Sequence, residues 1–121
     1  MIRIPKTLNK YFNEPIIIDK IKFSSHREAK YYGYLKTLKK LGEVTGIECQ
    51  PVFELQPKFE KHGIKYKAIT YIADFRVKYA DGHEEIIEIK GFETPLWKIK
   101  QKIFEYRYPD LTLKVIRGKR K

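Results

Sequence analysis

Tyr71-Ile72-Ala73-Asp74-Phe75, followed by Glu88-Ile89-Lys90, decides the fold and the chemistry expected of this chain. Between the two stretches lies Asp81-Gly82, a dipeptide typical of a tight β-hairpin turn. Two strands are therefore expected to fold back on each other and to bring the carboxylates of Asp74 and Glu88 together. Two acids beside a lysine can hold a divalent cation and assist attack on a phosphodiester.

Apolar and polar residues alternate from Ile69 to Tyr79, a pattern that predicts one continuous strand with a buried face. Asp74 falls on the polar face of this strand. The partner strand is predicted over residues 84–90, with Glu88 and Lys90 on the same face. The predicted buried face comprises Ile69, Tyr71, Ala73, Phe75, Val77 and Tyr79.

Two helices have clear start signals. Ser25-His26-Arg27-Glu28 matches a capping box, and the helical pattern that follows stops at Leu41-Gly42. Thr94-Pro95 is a good N-cap followed by proline at the first helical position. The predicted inner stripe of this second helix is Leu96, Ile99, Ile103 and Tyr106.

The remaining apolar segments predict further strands. Residues 15–23 indicate a strand or a hairpin, residues 47–55 indicate a strand near an edge because of Pro51, and residues 111–116 indicate a last strand. The connection from Glu88 through the second helix should place the last strand parallel to the Glu88 strand. The element order predicts an α/β fold, with a central mixed β-sheet flanked by helices.

Composition bounds the class of protein. A chain of 121 residues fits one domain, and we expect an arm at residues 1–14, a single domain at 15–116 and a basic tail at 117–121. The single cysteine, Cys49, excludes an intramolecular disulfide and fits a reducing cytosol. The sequence offers no apolar run long enough for a membrane span, so the expected location is the cytoplasm.

The net charge of +11 indicates a polyanionic partner, with nucleic acid as the leading candidate. A basic surface that only solubilises the protein is the alternative. The candidate DNA contacts are Lys98, Lys100 and Lys102 on the second helix, Lys67 in a basic hairpin loop, and Arg76.

An acid at a strand end, a second acid with a lysine two residues on, and a glutamate on an earlier helix resemble the PD-(D/E)XK nuclease superfamily. In this chain Asp74 takes the place of the first acid, Glu88 and Lys90 form the E-x-K element, and Glu28 is the helical glutamate. Ala73 stands where the superfamily has a nominal proline, and this departure leaves the acids in place.

The segments 50–57, 68–75 and 90–92 are similar to a family of small phage and prophage proteins with this core. The resemblance spans roughly residues 23–116. It implies a restriction-endonuclease-like core and a Mg²⁺-dependent endonuclease that acts on DNA in phage recombination, replication or processing. A branched substrate such as a Holliday junction is one implied candidate, and its resolution would require a homodimer.

The chemistry of these residues fits a metal site independently of the resemblance. Mg²⁺ and Mn²⁺ prefer oxygen ligands, which the Asp74 and Glu88 carboxylates and the Ile89 backbone carbonyl would supply. Lys90 would position or deprotonate the attacking water, and Glu28 would orient a metal-bound water or help hold a second ion. The alternative for Glu28 is a purely structural role as the capping-box glutamate.

Two other functions remain open. A nicking or transposon-type end-cleaving subunit is the nearest enzyme alternative. A non-catalytic nucleic-acid-binding protein with the same fold and charge would bind without divalent metal and would tolerate Asp74→Ala.

Overall fold

The computed structural model describes residues 16–118, so the predicted arm at 1–14 and the end of the basic tail lie outside it. The helices are α1 (His26–Lys40) and α2 (Pro95–Arg107), and neither is long and apolar enough to cross a membrane. The strands are β1 (Ile16–Ile18), β2 (Ile21–Phe23), β3 (Val44–Cys49), β4 (Val52–Gln56), β5 (Phe59–Lys61), β6 (Ile64–Tyr66), β7 (Ile69–Ile72), β8 (Phe75–Tyr79), β9 (Glu84–Lys90) and β10 (Thr112–Arg117).

The central sheet has the strand order β10-β9-β8-β3. β8 and β9 form the predicted antiparallel hairpin, in which Gly82 adopts a φ of 97° and donates its N–H to the Tyr79 carbonyl at 2.9 Å. β10 lies parallel to β9, with Val115 opposite Glu88. The predicted α/β class, with a mixed sheet flanked by helices, is confirmed.

Each face of the central sheet has its own apolar core. α1 buries Ala29, Tyr32 and Leu35 against one face, and α2 buries Trp97 and Phe104 on the other. The α1 side also contains Phe23, Val44, Phe75, Val77, Ile87 and Ile89, and the α2 side contains Phe53, Leu55, Tyr71, Ala73 and Ile86. Consecutive residues of β9 therefore alternate between two cores, as the two-residue period of a strand requires.

Helix α1 begins and ends as its sequence predicts. The Ser25 side chain accepts a hydrogen bond from the Glu28 N–H at 3.1 Å, which satisfies one of the free amides of the first turn. Beyond the helix, Gly42 adopts a φ of 83°, a backbone conformation that residues with a Cβ rarely adopt.

The continuous strand predicted over residues 69–79 is wrong, because the chain bends at Ala73–Asp74. β7 pairs with β4 in a separate two-stranded ribbon, whereas β8 belongs to the central sheet. The bend changes the face on which alternate residues are buried: Tyr71 lies in the α2 core and Phe75 in the α1 core. Apolar residues at alternate positions of one segment therefore belong to two different cores.

The single strand predicted over residues 47–55 is wrong for a related reason. It divides into β3 and β4 at Gln50–Pro51, where Gln50 has a φ of 56°. The two bends face each other, because the Gln50 N–H donates to the Asp74 carbonyl at 2.9 Å and the Ala73 N–H donates to the Pro51 carbonyl at 3.1 Å. The chain therefore leaves the central sheet between β3 and β4 and returns to it between β7 and β8 at adjacent positions.

The predicted inner stripe of α2 is wrong at three of its four positions, since only Ile103 packs against the core. Leu96, Ile99 and Tyr106 are exposed, whereas Trp97 and Phe104 are buried. The two stripes differ by one residue, which corresponds to a rotation of about 100° around the helix. The orientation that buries the indole and phenyl rings is favoured because aromatic side chains remove the most apolar surface from water.

Candidate active site

Asp74 lies in the bend between β7 and β8, where the backbone leaves one sheet for the other. Its N–H donates to the Ile87 carbonyl at 3.1 Å. Its Oδ2 accepts a hydrogen bond from the Ile89 N–H at 2.6 Å. The pairing of β8 with β9 ends at Phe75 and Ile87, so the Asp74 side chain takes the place of a backbone carbonyl for Ile89. This contact fixes the carboxylate beside the end of β9.

The Ile89 carbonyl, predicted as a metal ligand, belongs to the same edge of β9. In an extended strand the N–H and C=O of one residue point to the same neighbour. Since the Ile89 N–H points to Asp74, its carbonyl is directed toward the Asp74 side as well.

Glu88 lies on the α2 side of the sheet and is only 6% exposed. The Tyr71 hydroxyl donates a hydrogen bond to its Oε1, and Lys90 Nζ lies 3.6 Å from its Oε2. Burial raises the pKa of the Glu88 carboxyl, and the contacts with Tyr71 and Lys90 partly oppose that rise. Glu88 is thus a buried acid with specific partners rather than a surface residue of the hairpin.

The Asp74 carboxyl has a strongly perturbed pKa. Burial raises this pKa from 3.8 to about 7, against the hydrogen bond from the Ile89 N–H, which lowers it. The negative charges of Glu88 and Glu28 contribute to the same rise in pKa, whereas Lys90 opposes it. The site therefore concentrates more negative charge than its lysine balances, which is the electrostatic condition for binding a cation.

Lys90 projects into a cleft of about 290 Å³ between β7, β9 and the start of α2. Its Nζ lies 4.9 Å from the centre of the Trp97 ring, within range of a cation–π interaction. Glu88 and Trp97 therefore hold the ammonium group from two sides. The cleft is lined by Thr70, Tyr71, Ile72, Glu88, Lys90, Thr94, Leu96, Trp97 and Lys100.

In this structure Glu28 binds Ser24, the residue before the N-cap Ser25, and not the Ser25 N–H of the predicted capping box. Its Oε2 accepts from the Ser24 hydroxyl at 2.9 Å and its Oε1 from the Ser24 N–H at 3.3 Å. It is nevertheless close enough to raise the pKa of both Asp74 and Glu88. Glu28 therefore combines a structural contact at the start of α1 with a position near Asp74 and Glu88.

The donor set limits which metal site can form. Within residues 16–118, no three histidine, cysteine or acidic side chains are grouped so as to hold a metal ion. The protein ligands would therefore be the Asp74 and Glu88 carboxylates with the Ile89 carbonyl. This set fits Mg²⁺, which usually keeps several waters and binds one or two carboxylates together with substrate phosphates.

Sequence reasoning missed three residues that shape the site. Tyr71 and Trp97 contact Glu88 and Lys90, although the first was assigned only to the apolar face. Arg27 donates from its two Nη atoms to the carbonyls of Lys90 and Ile116, each at 3.2 Å, and so ties α1 to the ends of β9 and β10. Their types gave no signal, because these roles depend on packing between elements distant in sequence.

The predicted DNA contacts on α2 separate into two groups. Lys100 lines the cleft, whereas Lys98 and Lys102 are exposed and, being four residues apart, share another face of the helix. Gln101, half-buried, lies between Trp97 and Phe104 on the buried side of α2.

The other two predicted DNA contacts do not line the cleft. Arg76 forms an ion pair with Glu84 at 3.0 Å and lies 6.0 Å from the centre of the Phe53 ring. Lys67 is exposed between β6 and β7. Only Lys100 of the five predicted DNA contacts is therefore a cleft residue.

Comparison with known proteins places the chain in a family without adding an activity. No curated protein and no solved structure is significantly similar to it. The PD-(D/E)XK resemblance therefore stays a prediction. Residues 8–121 match the family described as "Protein of unknown function (DUF1064)", and because this match covers nearly the whole chain, the chain belongs to that family.

Proposed function

We propose that this protein is a metal-dependent endonuclease that hydrolyses phosphodiester bonds of DNA. The observation that carries the proposal is the convergence of the Asp74 and Glu88 carboxylates and the Lys90 ammonium at the bend between the two sheets. A structural role for this arrangement is less favourable, because a buried carboxylate without a full counter-charge costs free energy of folding.

The Asp74 and Glu88 carboxylates and the Ile89 carbonyl would hold the ion. When bound, Mg²⁺ or Mn²⁺ would supply positive charge that polarises a phosphate and lowers the pKa of a coordinated water. Each carboxylate uses one oxygen in a hydrogen bond, to the Ile89 N–H or to the Tyr71 hydroxyl. Asp74 Oδ1 remains for the ion, and Glu88 Oε2 would be shared between the ion and Lys90 Nζ, which lies 3.6 Å from it.

Lys90 would act on the substrate side of the site. Glu88 and Trp97 hold its ammonium group at the cleft, where it can orient the attacking water and stabilise charge that develops on the phosphate. Such preorganised charge is effective because it needs no rearrangement during the reaction.

DNA is the proposed substrate because the net charge is +11 and Lys100 adds a cation to the cleft. We place the protein in the cytoplasm, in DNA processing or phage recombination, with branched DNA among its substrates. On a four-way junction, a homodimer would present two sites to opposed strands.

The test is cleavage of labelled linear duplex, single-stranded and four-way-junction DNA in Mg²⁺, Mn²⁺ or EDTA. The native protein is compared with Asp74→Ala and Lys90→Ala, and Lys98→Ala serves as a control that removes an exposed lysine outside the cleft. Metal-dependent cleavage that is lost in both site variants and kept in the control would support the proposal. Binding without cleavage in any metal, unchanged by either site substitution, would establish the alternative of a non-catalytic nucleic-acid-binding protein.

A further inference from the structure

A hairpin outside the cleft exposes a surface that is both aromatic and basic. We call residues 58–67 the ribbon arm; it comprises β5, β6, the His62-Gly63 turn and the flanking Lys58 and Lys67. Every residue of the arm is exposed, and β5 and β6 pair with each other and with no other described strand. An isolated two-stranded hairpin is only marginally stable in water. The arm contributes nothing to either apolar core of the described residues, which suits an element that binds a partner.

Two local features hold the arm together. His62 and Gly63 have φ values of 53° and 78°, which a tight turn between twisted strands requires. Phe59 and Tyr66 are directly opposed in register, and their rings stack with centres 4.6 Å apart and planes at 12°. These rings remain 42% and 43% exposed, so the stacked pair presents aromatic surface to the solvent.

The charges of the arm favour a polyanion. The arm carries Lys58, Lys61, Lys65 and Lys67 against a single acid, Glu60. Within residues 16–118, none of these lysines forms an ion pair. A second copy of the chain is a poor occupant, because it carries the same net charge of +11.

The ribbon arm lies between β4 and β7 in the chain, and the β4–β7 ribbon begins at the cleft. In the β4–β7 ladder, Ile72 pairs with Val52 and lines the cleft, and Ile69 pairs with Gln56 at the other end. Tyr66 lies six positions before Ile72, so the Cα atoms of these two residues are at most about 20 Å apart. This distance corresponds to about six nucleotides of one strand.

We propose that the ribbon arm binds unpaired bases of DNA, which stack on the Phe59–Tyr66 pair while the lysines of the arm contact the neighbouring phosphates. Paired bases present only their edges in a groove, whereas an unpaired base has a free face that can stack on an aromatic ring. The inference rests on the proposed function in taking DNA as the ligand. It adds the substrate class, which is DNA with unpaired bases within a few nucleotides of the cleavage site.

Binding is measured with the full chain in EDTA, by fluorescence anisotropy on a single-stranded oligonucleotide, a blunt duplex of the same sequence and a four-way junction. Phe59→Ala/Tyr66→Ala should weaken single-strand binding by about tenfold or more and duplex binding by less than about threefold. The ring-swap variant Phe59→Tyr/Tyr66→Phe keeps both rings and should bind as the native protein does. Ile64→Ala removes an exposed apolar side chain outside the stack and should also have little effect.

The lysines are tested through the salt dependence of binding. Lys58→Ala/Lys65→Ala should reduce the slope of log K against log[salt] by about one to two on the single-stranded oligonucleotide. Lys39→Ala/Lys40→Ala removes the same charge from the last turn of α1 and should change the slope less. Equal slopes for the two double variants would overturn the assignment of phosphate contacts to the arm.

The outcomes separate this inference from the nuclease proposal. Equal loss of duplex and single-strand binding in Phe59→Ala/Tyr66→Ala, or no loss, would overturn the base-stacking role even if the protein cleaves DNA. Selective loss of single-strand binding would support it even if the native protein cleaves nothing in any metal. A direct readout is 2-aminopurine in the single strand, whose fluorescence should be quenched by the native arm and by the ring-swap variant only.

Discussion

The Tyr71 hydroxyl donates a hydrogen bond to Glu88 Oε1 and so connects the β4–β7 ribbon with the central sheet. Burial, together with the negative charge of Glu88, raises the pKa of Tyr71 far above its ordinary value. The hydroxyl therefore stays protonated and remains a donor at any physiological pH. One buried acid of the candidate site is thus positioned by a residue from the other sheet.

We expect Tyr71→Phe to weaken the site without removing any proposed ligand. The substitution leaves a buried carboxylate oxygen without its donor, and we expect a loss of about 1–3 kcal/mol in the free energy of unfolding. It also removes a contact that lowers the Glu88 pKa, so the pH profile of cleavage should shift to higher pH. Urea denaturation and a pH series of initial rates measure the two effects.

Tyr79→Phe is the matched control for this prediction. Tyr79 likewise donates to a glutamate, Glu85 Oε1, at 2.8 Å, but neither residue lines the cleft. Tyr79→Phe should lower stability and leave the pH profile of cleavage unchanged. An identical profile shift in both variants would contradict the positioning role of Tyr71.

Asp74 should make stability without metal fall as pH rises from about 4 to 7. Its folded-state pKa of about 7 lies above its ordinary value of 3.8, so the folded chain binds more protons than the unfolded chain in this window. Asp74→Asn removes the titrating group and keeps an oxygen that can accept from the Ile89 N–H. In EDTA, the stability of this variant relative to the native protein should increase by about 3 kcal/mol when the pH is raised from 4.5 to 8.

Urea denaturation of both proteins at the two pH values gives this difference directly. A constant difference between the variant and the native protein would show that Asp74 titrates in its ordinary range. The expected gain in stability on loss of a charged group is characteristic of sites whose residues serve function rather than folding.

Divalent metal should stabilise the native protein at pH 8 and should not stabilise variants that lack a proposed ligand. Mg²⁺ or Mn²⁺ that binds only the folded state stabilises it according to the ratio of free ion to Kd. For a chain of 121 residues, about 1 kcal/mol of binding raises the melting temperature by roughly 4 °C. Thermal unfolding with and without metal should show this increase in the native protein and not in Asp74→Asn or Glu88→Gln.

Glu54→Gln is the control for the metal prediction, because Glu54 is an exposed acid of β4 outside the cleft lining. It should keep the full metal-dependent increase in melting temperature. An equal increase in all four proteins would place metal binding elsewhere on the surface.

The three lysines of α2 should differ in their effects on DNA. Lys100 lines the cleft, whereas Lys98 and Lys102 do not. Lys100→Ala should therefore raise the KM for cleavage by about three- to tenfold, consistent with the loss of one charge-assisted phosphate contact. Lys98→Ala and Lys102→Ala remove the same charge, and equal effects of all three variants would indicate only nonspecific attraction.

Local sequence signals correctly predicted helix starts and the hairpin turn, because these features are formed by residues that are adjacent in the sequence. Ser25 and Thr94 are the N-caps of the two helices, Asp81-Gly82 forms the hairpin turn, and β9 spans the predicted residues 84–90. Such signals depend on backbone geometry within a few residues, so they can be read from one sequence. The proximity of Asp74 and Glu88 follows from the same hairpin.

Periodicity was insufficient where a segment serves two cores. Apolar residues occupy every second position from Ile69 to Tyr79, yet Tyr71 and Phe75 are buried in different cores because the chain bends at Asp74. On α2, two apolar stripes compete, and the fit of Trp97 and Phe104 against the β4–β7 ribbon decides between them. A one-dimensional pattern contains no information about which neighbour a face will meet.

The sequence by itself determined the element types, the hairpin and the residues that could carry the chemistry. Tertiary structure alone decided that Tyr71 contacts Glu88, that Lys90 lies over Trp97 and that Lys100 lines the cleft. These contacts join residues far apart in the chain, and their geometry depends on how the two sheets and α2 pack. The same packing removes water from the two acids and so raises the pKa of each carboxyl.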